Sequence, residues 1–228
     1  VIKGVKMFLN LNKGQKRSFF LILIAQGFHF CSQSFFFLFP KFLKSIGGTE
    51  KHYGLIIGAA LVPILLGGTF AGYFSDRFSN KKLIFIGTGT LVFANLPFLF
   101  IHNLSAGIYF LVALRAFSNS ISFATFYALL SKMLPEKSRA RGFAYTAATA
   151  QLGNTLGSFL AIKIIVNFSF QHFFVGAFLV GLLSLLFLSF IKERKNKNEL
   201  SINIKTVGYS KILKKQFVSG FILMFVLG

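Results

Sequence analysis

The sequence predicts an all-α fold, a polytopic bundle of helices that crosses a membrane several times. Of its 228 residues, 54% are hydrophobic and 13% are charged, against about 25% charged residues in an ordinary soluble domain. The charges lie in clusters between long uncharged stretches. This pattern excludes a soluble enzyme and a disordered chain, and the single cysteine, Cys31, excludes a disulfide scaffold.

The uncharged stretches define the first four membrane-crossing helices, which we call spans. A helix needs roughly 20 apolar residues to cross about 30 Å of hydrocarbon. Residues 18–40 predict span 1 and residues 52–75 predict span 2. Residues 83–131, in which Arg115 is the one charge, are too long for one crossing, so they predict spans 3 and 4 with a turn near residues 102–105.

Spans 5 and 6 follow over residues 142–162 and 168–191. Their continuous apolar runs exclude the strands of an outer-membrane barrel, which alternate over about ten residues. A shorter apolar run at 217–228 predicts the start of a seventh span, so we expect a fragment cut inside that helix; a complete six-span protein with a short interfacial C-terminal helix is the alternative. The predicted domains are the six-span bundle at 1–191, a cytoplasmic linker at 192–216 and the truncated helix at 217–228.

Positive charge is distributed unequally between the two sides of the bundle. Of the 25 Lys and Arg residues, 20 lie before span 1, after span 6 and between spans 2 and 3 or spans 4 and 5, and 4 lie on the opposite side. Because basic loops stay in the cytoplasm, both ends of the bundle are predicted to be cytoplasmic, in the inner membrane of a bacterial-type cell. Basic loops face anionic lipid headgroups, so membrane lipid accounts for the net charge of +20 and no nucleic-acid partner is expected.

A motif with specific spacing, GYFSDRFSNKK, occupies residues 72–82 between spans 2 and 3. It resembles the cytoplasmic signature of the major facilitator superfamily, G-x-x-x-D-R-x-G-R-R/K. Four positions match that signature: Gly72, Asp76, Arg77 and Lys81. Ser79 and Asn80 stand where the family usually has Gly and Arg.

The matching residues are interpreted as a cytoplasmic gate. Gly72 is expected to let two helices approach closely. Asp76 is expected to pair with an arginine or to lie near the positive N-terminus of a neighbouring helix. An ordinary basic loop with one neutralising acid is the alternative.

The resemblance extends over spans 1 to 6. Arg115 matches the intramembrane arginine of the family's fourth-helix signature. In span 5, Gly153 and Gly157 resemble the G-x-x-x-G-P element of antiporters, with Ser158 in place of the proline. The resemblance implies the N-terminal six-helix half of a major facilitator transporter, built from two inverted three-helix repeats, whose partner would be the C-terminal half of the same chain.

Three spans each carry a stripe of polar residues on one face, because successive helical residues are about 100° apart. The stripes are Gln26, His29 and Gln33 in span 1; Arg115, Ser118, Asn119 and Ser122 in span 4; and Gln151, Asn154, Thr155 and Ser158 in span 5. Polar groups that face lipid are costly, so the stripes are expected to face a shared cavity for substrate binding or coupling. Gly153 and Gly157 lie on a different face of span 5, which suits close helix packing.

Arg115 is the strongest candidate in this cavity, because a charged arginine in a spanning helix costs on the order of 3 kcal/mol. The five acids of the sequence lie in loops or at helix ends. The partner of Arg115 is therefore expected to be a substrate anion, an acid of the C-terminal half or bound water. Structural pairing of Arg115 with backbone carbonyls is the alternative. His29 either titrates near neutral pH and relays protons or is a neutral side chain hydrogen-bonded to Gln33.

These features favour a secondary transporter that moves a small-molecule substrate by rocking alternating access, driven by a gradient of an ion, with the proton as first candidate, or of a solute. A non-transporting six-helix assembly or channel subunit and a lipid-modifying membrane enzyme are the alternatives. No enzyme is predicted, since the sequence has no nucleotide-binding loop and no paired acids at mid-membrane depth. No cofactor or metal is expected, because the four histidines are scattered: His29, His52, His102 and His172.

Overall fold

The computed structural model describes residues 13–75 and 77–191. Six helical segments in this part of the chain are long and apolar enough to cross a membrane, which confirms the predicted all-α class and the predicted number of spans in the bundle. Asp76, the predicted linker at 192–216 and the predicted start of a seventh span at 217–228 lie outside the described residues.

The spans begin and end close to their predicted limits. Span 1 consists of an α-helix at Lys13–Ser34, a 3-10 turn at Phe35–Leu38 and a short α-helix at Phe39–Ser45. Span 2 is Glu50–Ser75, span 3 is Asn80–Phe93 followed by a 3-10 turn at Pro97–Phe100, and span 4 is Ala106–Met133. Span 5 is Glu136–Asn167 and span 6 is Phe170–Ser189.

Span 5 is longer than the predicted stretch at 142–162. Its helix has 32 residues, Glu136–Asn167, and it includes the basic residues Lys137 and Arg141 in its first two turns. A charge marks the end of the segment that lipid tolerates. It does not end the helix, because the backbone hydrogen bonds are made within the helix, whether its side chains face lipid or water.

Prolines account for the interruptions inside spans 1 and 3. Pro40 and Pro97 lack the N–H that would bond to the carbonyl four residues earlier, and their rings clash with that carbonyl. Regular α-helix accordingly ends at Ser34 in span 1 and at Phe93 in span 3. Each proline lies in the first turn of the segment that follows.

The spans pack in pairs through small residues. Span 4 packs most extensively against spans 2 and 3, and span 1 packs against spans 5 and 6. Gly153 and Gly157 of span 5 are buried against span 1, where an added Cβ would collide with the carbonyl oxygens of Gly27 and Cys31 respectively. The backbones of spans 1 and 5 are therefore as close as their glycines permit.

Gly72 is not the residue that brings span 2 close to another described helix. An added Cβ at Gly72 would meet no atom within 4 Å among the described residues. At Gly67, in the same span, an added Cβ would lie 2.5 Å from the carbonyl oxygen of Phe117 in span 4. Within the described part of the chain, the close approach expected at Gly72 is thus found at Gly67.

Two clusters of buried apolar side chains form the core, one toward each end of the bundle. The Phe19 cluster includes Phe19, Ile22, Ile84, Phe126, Leu130 and Leu188. The Phe39 cluster includes Phe35, Phe39, Phe98, Val112, Phe173 and Phe174. Along span 1 the residues between the two clusters are 26–34, and along span 4 they are 113–125.

Candidate functional site

A layer of buried polar side chains lies between the Phe19 cluster and the Phe39 cluster. Every member is at most 5% exposed. Its members in spans 1, 3 and 4 include Gln26, His29, Ser32, Thr88, Asn95, Arg115, Ser118 and Ser122. The structure therefore brings together five residues of the stripes that were expected to face one cavity: Gln26, His29, Arg115, Ser118 and Ser122.

Arg115 is 5% exposed, and its contacts are with uncharged groups. Its Nη1 donates a hydrogen bond to Oδ1 of Asn95 and lies 3.5 Å from the carbonyl oxygen of Leu91. The guanidinium carbon lies 4.6 Å from the centroid of the Phe36 ring, within the range of a cation–π contact. The two acids that the structure describes, Glu50 and Glu136, are in the first turns of spans 2 and 5.

The polar atoms that meet Arg115 come from the end of the regular helix in span 3. The N–H of Asn95 donates to the Val92 carbonyl at 3.2 Å, instead of to the Leu91 carbonyl four residues back. The carbonyls at a helix end need partners from outside the helix. Arg115 supplies a donor to one of them, the Leu91 carbonyl.

His29 forms a second polar contact point, and its ring reaches across to spans 3 and 4. Its Nε2 is 3.2 Å from Oδ1 of Asn119, and its Nδ1 is 3.4 Å from Oγ1 of Thr88. Thr88 also donates to Ser122 at 3.3 Å. The alternative in which His29 bonds to Gln33 is wrong, because these cross-span partners occupy both ring nitrogens.

Two glutamine amides in span 1 hold unused hydrogen-bonding groups. Gln26 is fully buried, and neither its amide nitrogen nor its amide oxygen has a hydrogen-bond partner among the described residues. Gln33 is half-buried, and its amide oxygen also has no hydrogen-bond partner among the described residues. A buried polar group without a partner costs about 1–3 kcal/mol, so these amides are suited to bind a solute or water.

The polar stripe of span 5 does not join the layer within the described residues. Gln151 and Thr155 are exposed, and Asn154 and Ser158 are half-buried. The face of span 5 that packs on span 1 is instead the glycine face described above. The expectation that all three stripes share one interior therefore holds for spans 1 and 4 and not for span 5 in this part of the chain.

Where span 2 ends and span 3 begins, the described residues of the gate motif contact aromatic and backbone groups. The guanidinium carbon of Arg77 lies 4.1 Å from the Tyr73 ring centroid. Lys81 donates to the Ser189 carbonyl at the end of span 6 at 2.8 Å. Lys132 donates in the same way to Ser75 at the end of span 2, at 3.0 Å. Both lysines thus place a cation at the negative end of a helix dipole.

Sequence reasoning missed Ser32, Thr88 and Asn95 of the layer, and the Phe36 ring that contacts Arg115. Thr88 and Asn95 are seven residues apart, separated mostly by apolar residues, a spacing that predicts one shared helix face. This spacing was a usable signal. Phe36 had none, because nothing distinguishes it from the other phenylalanines in an apolar run.

Comparison with known proteins identifies a protein family that matches most of the chain. The model of the Major Facilitator Superfamily matches residues 21–228 of the chain. The match includes all the polar residues described above, from Gln26 to Ser122.

Curated relatives carry transporter names. The chain is 30% identical over 150 residues to a multi-drug resistance efflux pump PmrA homolog of Lactococcus lactis. The aligned region covers 65% of this chain and 36% of that protein. It is 28% identical over 183 residues to an uncharacterized MFS-type transporter of Methanocaldococcus jannaschii, with 78% and 45% covered. It is 24% identical over 166 residues to a gallate transporter of Pseudomonas putida, with 72% and 36% covered. The chain thus spans between about a third and about a half of the length of these relatives.

Proposed function

The chain belongs to the major facilitator superfamily, and from that membership we propose that it forms the N-terminal half of a secondary active transporter for a small solute. The transporter names of its relatives support transport rather than enzyme chemistry. Spans 1–3 and spans 4–6 would be two inverted repeats, and the solute would cross by rocking alternating access driven by an ion or solute gradient. The partner would be the C-terminal half of the same protein.

The buried polar layer is the observation that carries this proposal. Burying Arg115 in lipid costs on the order of 3 kcal/mol, and the unpaired amide of Gln26 adds to that cost. Intramembrane polar groups usually face the bundle interior or a water-filled cavity. We therefore place the substrate and coupling cavity at the residues that the sequence proposed: Arg115, Asn119, Ser122, Gln26, His29 and Gln33, with Gln151 and Asn154 on the face that the second half would cover.

Accessibility of residue 119 tests the cavity without a known substrate. Asn119 is half-buried at the edge of the layer, so alternating access should expose it to each side in turn. In a Cys31→Ser background, we expect Asn119→Cys to react with a membrane-impermeant maleimide added on either side of the membrane. A cysteine that reacts from neither side would contradict the cavity.

The same labelling reports the proposed orientation, with a cytoplasmic N-terminus in the inner membrane. Asn103 is exposed in the loop between spans 3 and 4, and Lys137 is exposed in the first turn of span 5, at the opposite side of the bundle. We expect Asn103→Cys to react only from outside and Lys137→Cys only from inside. The reverse pattern would overturn the orientation.

We propose that protons couple to transport through His29, since an imidazole changes charge between about pH 5 and 8. We expect His29→Gln to abolish the pH dependence of transport near neutral pH and to leave folding intact, because a glutamine keeps polar atoms for Asn119 and Thr88. The rates to measure are those of gallate flux and ethidium flux in membrane vesicles. Gallate is the solute named for one relative, and ethidium is a test drug suited to a chain that resembles a multi-drug resistance efflux pump. His172→Gln is the matched control, because His172 is exposed at the start of span 6. A normal pH profile in His29→Gln would assign the coupling to another ion or another group.

We place the cytoplasmic gate at Gly72, Asp76, Arg77 and Lys81. The contacts of Arg77 with Tyr73 and of Lys81 with the end of span 6 support this placement. These contacts connect the loop to spans 2 and 6, so a relative movement of those two spans would break or shift the contacts of the loop.

A further inference from the structure

We propose that Asn95 is a positioning residue for Arg115. The interruption of span 3 turns one side-chain carbonyl and one backbone carbonyl toward the guanidinium, and these two oxygens form a neutral anchor for the charge. This inference rests on the proposed function, in which Arg115 is the cation of the transport cavity. It adds a residue that belongs neither to the gate motif nor to the polar stripes.

The interrupted backbone supplies one part of the anchor. Because the N–H of Asn95 bonds to Val92, the Leu91 carbonyl is left without its helical donor. Nη1 of Arg115 lies 3.5 Å from that oxygen. Pro97 adds to this break, since it has no N–H for the Phe93 carbonyl and its ring crowds that carbonyl.

The Asn95 side chain supplies the other part. Its Nδ2 donates to the Val92 carbonyl at 3.1 Å and lies 3.4 Å from the Leu91 carbonyl, which fixes the orientation of the amide. The amide oxygen therefore points away from span 3 and accepts the hydrogen bond from Arg115. Asn95 is 1% exposed, so solvent does not stand in for this oxygen.

An uncharged anchor has a specific effect on the cavity. Asn95, the Leu91 carbonyl and the Phe36 ring hold the guanidinium without neutralising it. The cation remains available to an anionic group, whether a substrate carboxylate or an acid of the second half. An aspartate in place of Asn95 would offer the same acceptor to Arg115 and would cancel its charge, but it could not donate to the Leu91 and Val92 carbonyls as the amide does.

Arginine labelling with phenylglyoxal, read for each peptide by mass spectrometry, tests the anchor in the complete protein with no transported solute. We expect Asn95→Ala to raise the labelling rate of Arg115 by about tenfold, which corresponds to about 1.4 kcal/mol, a scale set by the loss of a hydrogen bond to a charged group. Asn95→Asp should restore slow labelling, because a carboxylate oxygen accepts from the same N–H and its charge strengthens that bond, which offsets the lost donation to the Val92 carbonyl. The exposed Arg139 is the internal reference for reagent concentration.

Val92→Ala is the matched control, since it removes a buried side chain from the same turn of span 3 and leaves the Arg115 side-chain contacts in place. It should label Arg115 at the wild-type rate. Equal labelling in wild type and Asn95→Ala would overturn the anchor. So would an equal rise in Asn95→Ala and Val92→Ala, or a failure of Asn95→Asp to restore slow labelling.

A double variant decides the case in which Asn95→Ala is not recovered from the membrane. Asn95→Ala combined with Arg115→Leu leaves no buried charge without an acceptor. Its recovery would support the anchor. Its loss would show that Asn95 stabilises the bundle in a way unrelated to Arg115, and would overturn the proposal.

Flux measurements separate failure of the anchor from failure of the proposed function. With ethidium and gallate as probes, we expect Asn95→Asp to lower the flux although its Arg115 labels as slowly as in wild type. Wild-type labelling in Asn95→Ala together with lost flux would remove the anchor and keep the transport function. Faster labelling together with wild-type flux in both Asn95 variants would keep the anchor and remove Arg115 from the proposed cavity.

Discussion

Replacing Arg115 with alanine is expected to lower transport by about tenfold or more. Contacts of an ionised side chain contribute about 1.5–3 kcal/mol each, and the polar layer would lose its guanidinium. Membrane insertion should not suffer, because the alanine helix avoids a cost on the order of 3 kcal/mol. The measurement is the initial rate of ethidium and gallate flux in vesicles that contain equal amounts of each protein.

Arg139→Ala is the control for this experiment. It is the same substitution at an exposed arginine in the first turns of span 5, and it should transport as wild type does. If Arg115→Ala transports as well as Arg139→Ala, Arg115 has no part in the mechanism. Its contacts with Asn95 and the Leu91 carbonyl would then be a purely structural pairing.

Replacing Gly157 with alanine is expected to destabilise the bundle markedly. An added Cβ would collide with the carbonyl oxygen of Cys31 and with Oγ of Ser34. The first of these is backbone, so the two spans would have to separate, and overpacking of this kind costs about 1–3 kcal/mol. We expect a lower midpoint of thermal unfolding in detergent and a smaller yield of folded protein.

Gly54→Ala provides the comparison, because an added Cβ at Gly54 would meet no atom within 4 Å among the described residues. That variant should be neutral or slightly stabilising, since alanine is favoured over glycine in a helix by roughly 1 kcal/mol. Equal stability of the two variants would contradict the close packing of spans 1 and 5. A loss confined to Gly157→Ala would support it.

The number of spans could be predicted because placing a charged side chain in hydrocarbon costs several kilocalories per mole. Long stretches without charges therefore mark the crossings. These stretches do not mark helix ends, as the start of span 5 at Glu136 shows. The interruption of span 3 could not be predicted from Pro97 alone. Pro63 lies inside span 2, where the α-helix continues without a break from Glu50 to Ser75.

The candidate site could be predicted only in part. Periodicity grouped Gln26 with His29 and Arg115 with Ser122, because residues three, four or seven apart lie on similar faces of a helix. It could not say which neighbour covers a face, and so the exposed position of Gln151 was missed. The spacing of Thr88 and Asn95 indicates a polar face, but the contact between Asn95 and Arg115 could not be predicted, because a pattern within one helix holds no information about contacts between spans.

The separation of the polar layer from the two apolar clusters has an evolutionary consequence. The rings of the Phe19 and Phe39 clusters are close-packed, so a change of volume there alters how much protein accumulates. The layer is held by hydrogen bonds, whose partners can be exchanged with small changes in volume. If the layer binds the transported solute, as proposed, selection can diversify the solutes recognised there while the scaffold on either side is inherited unchanged.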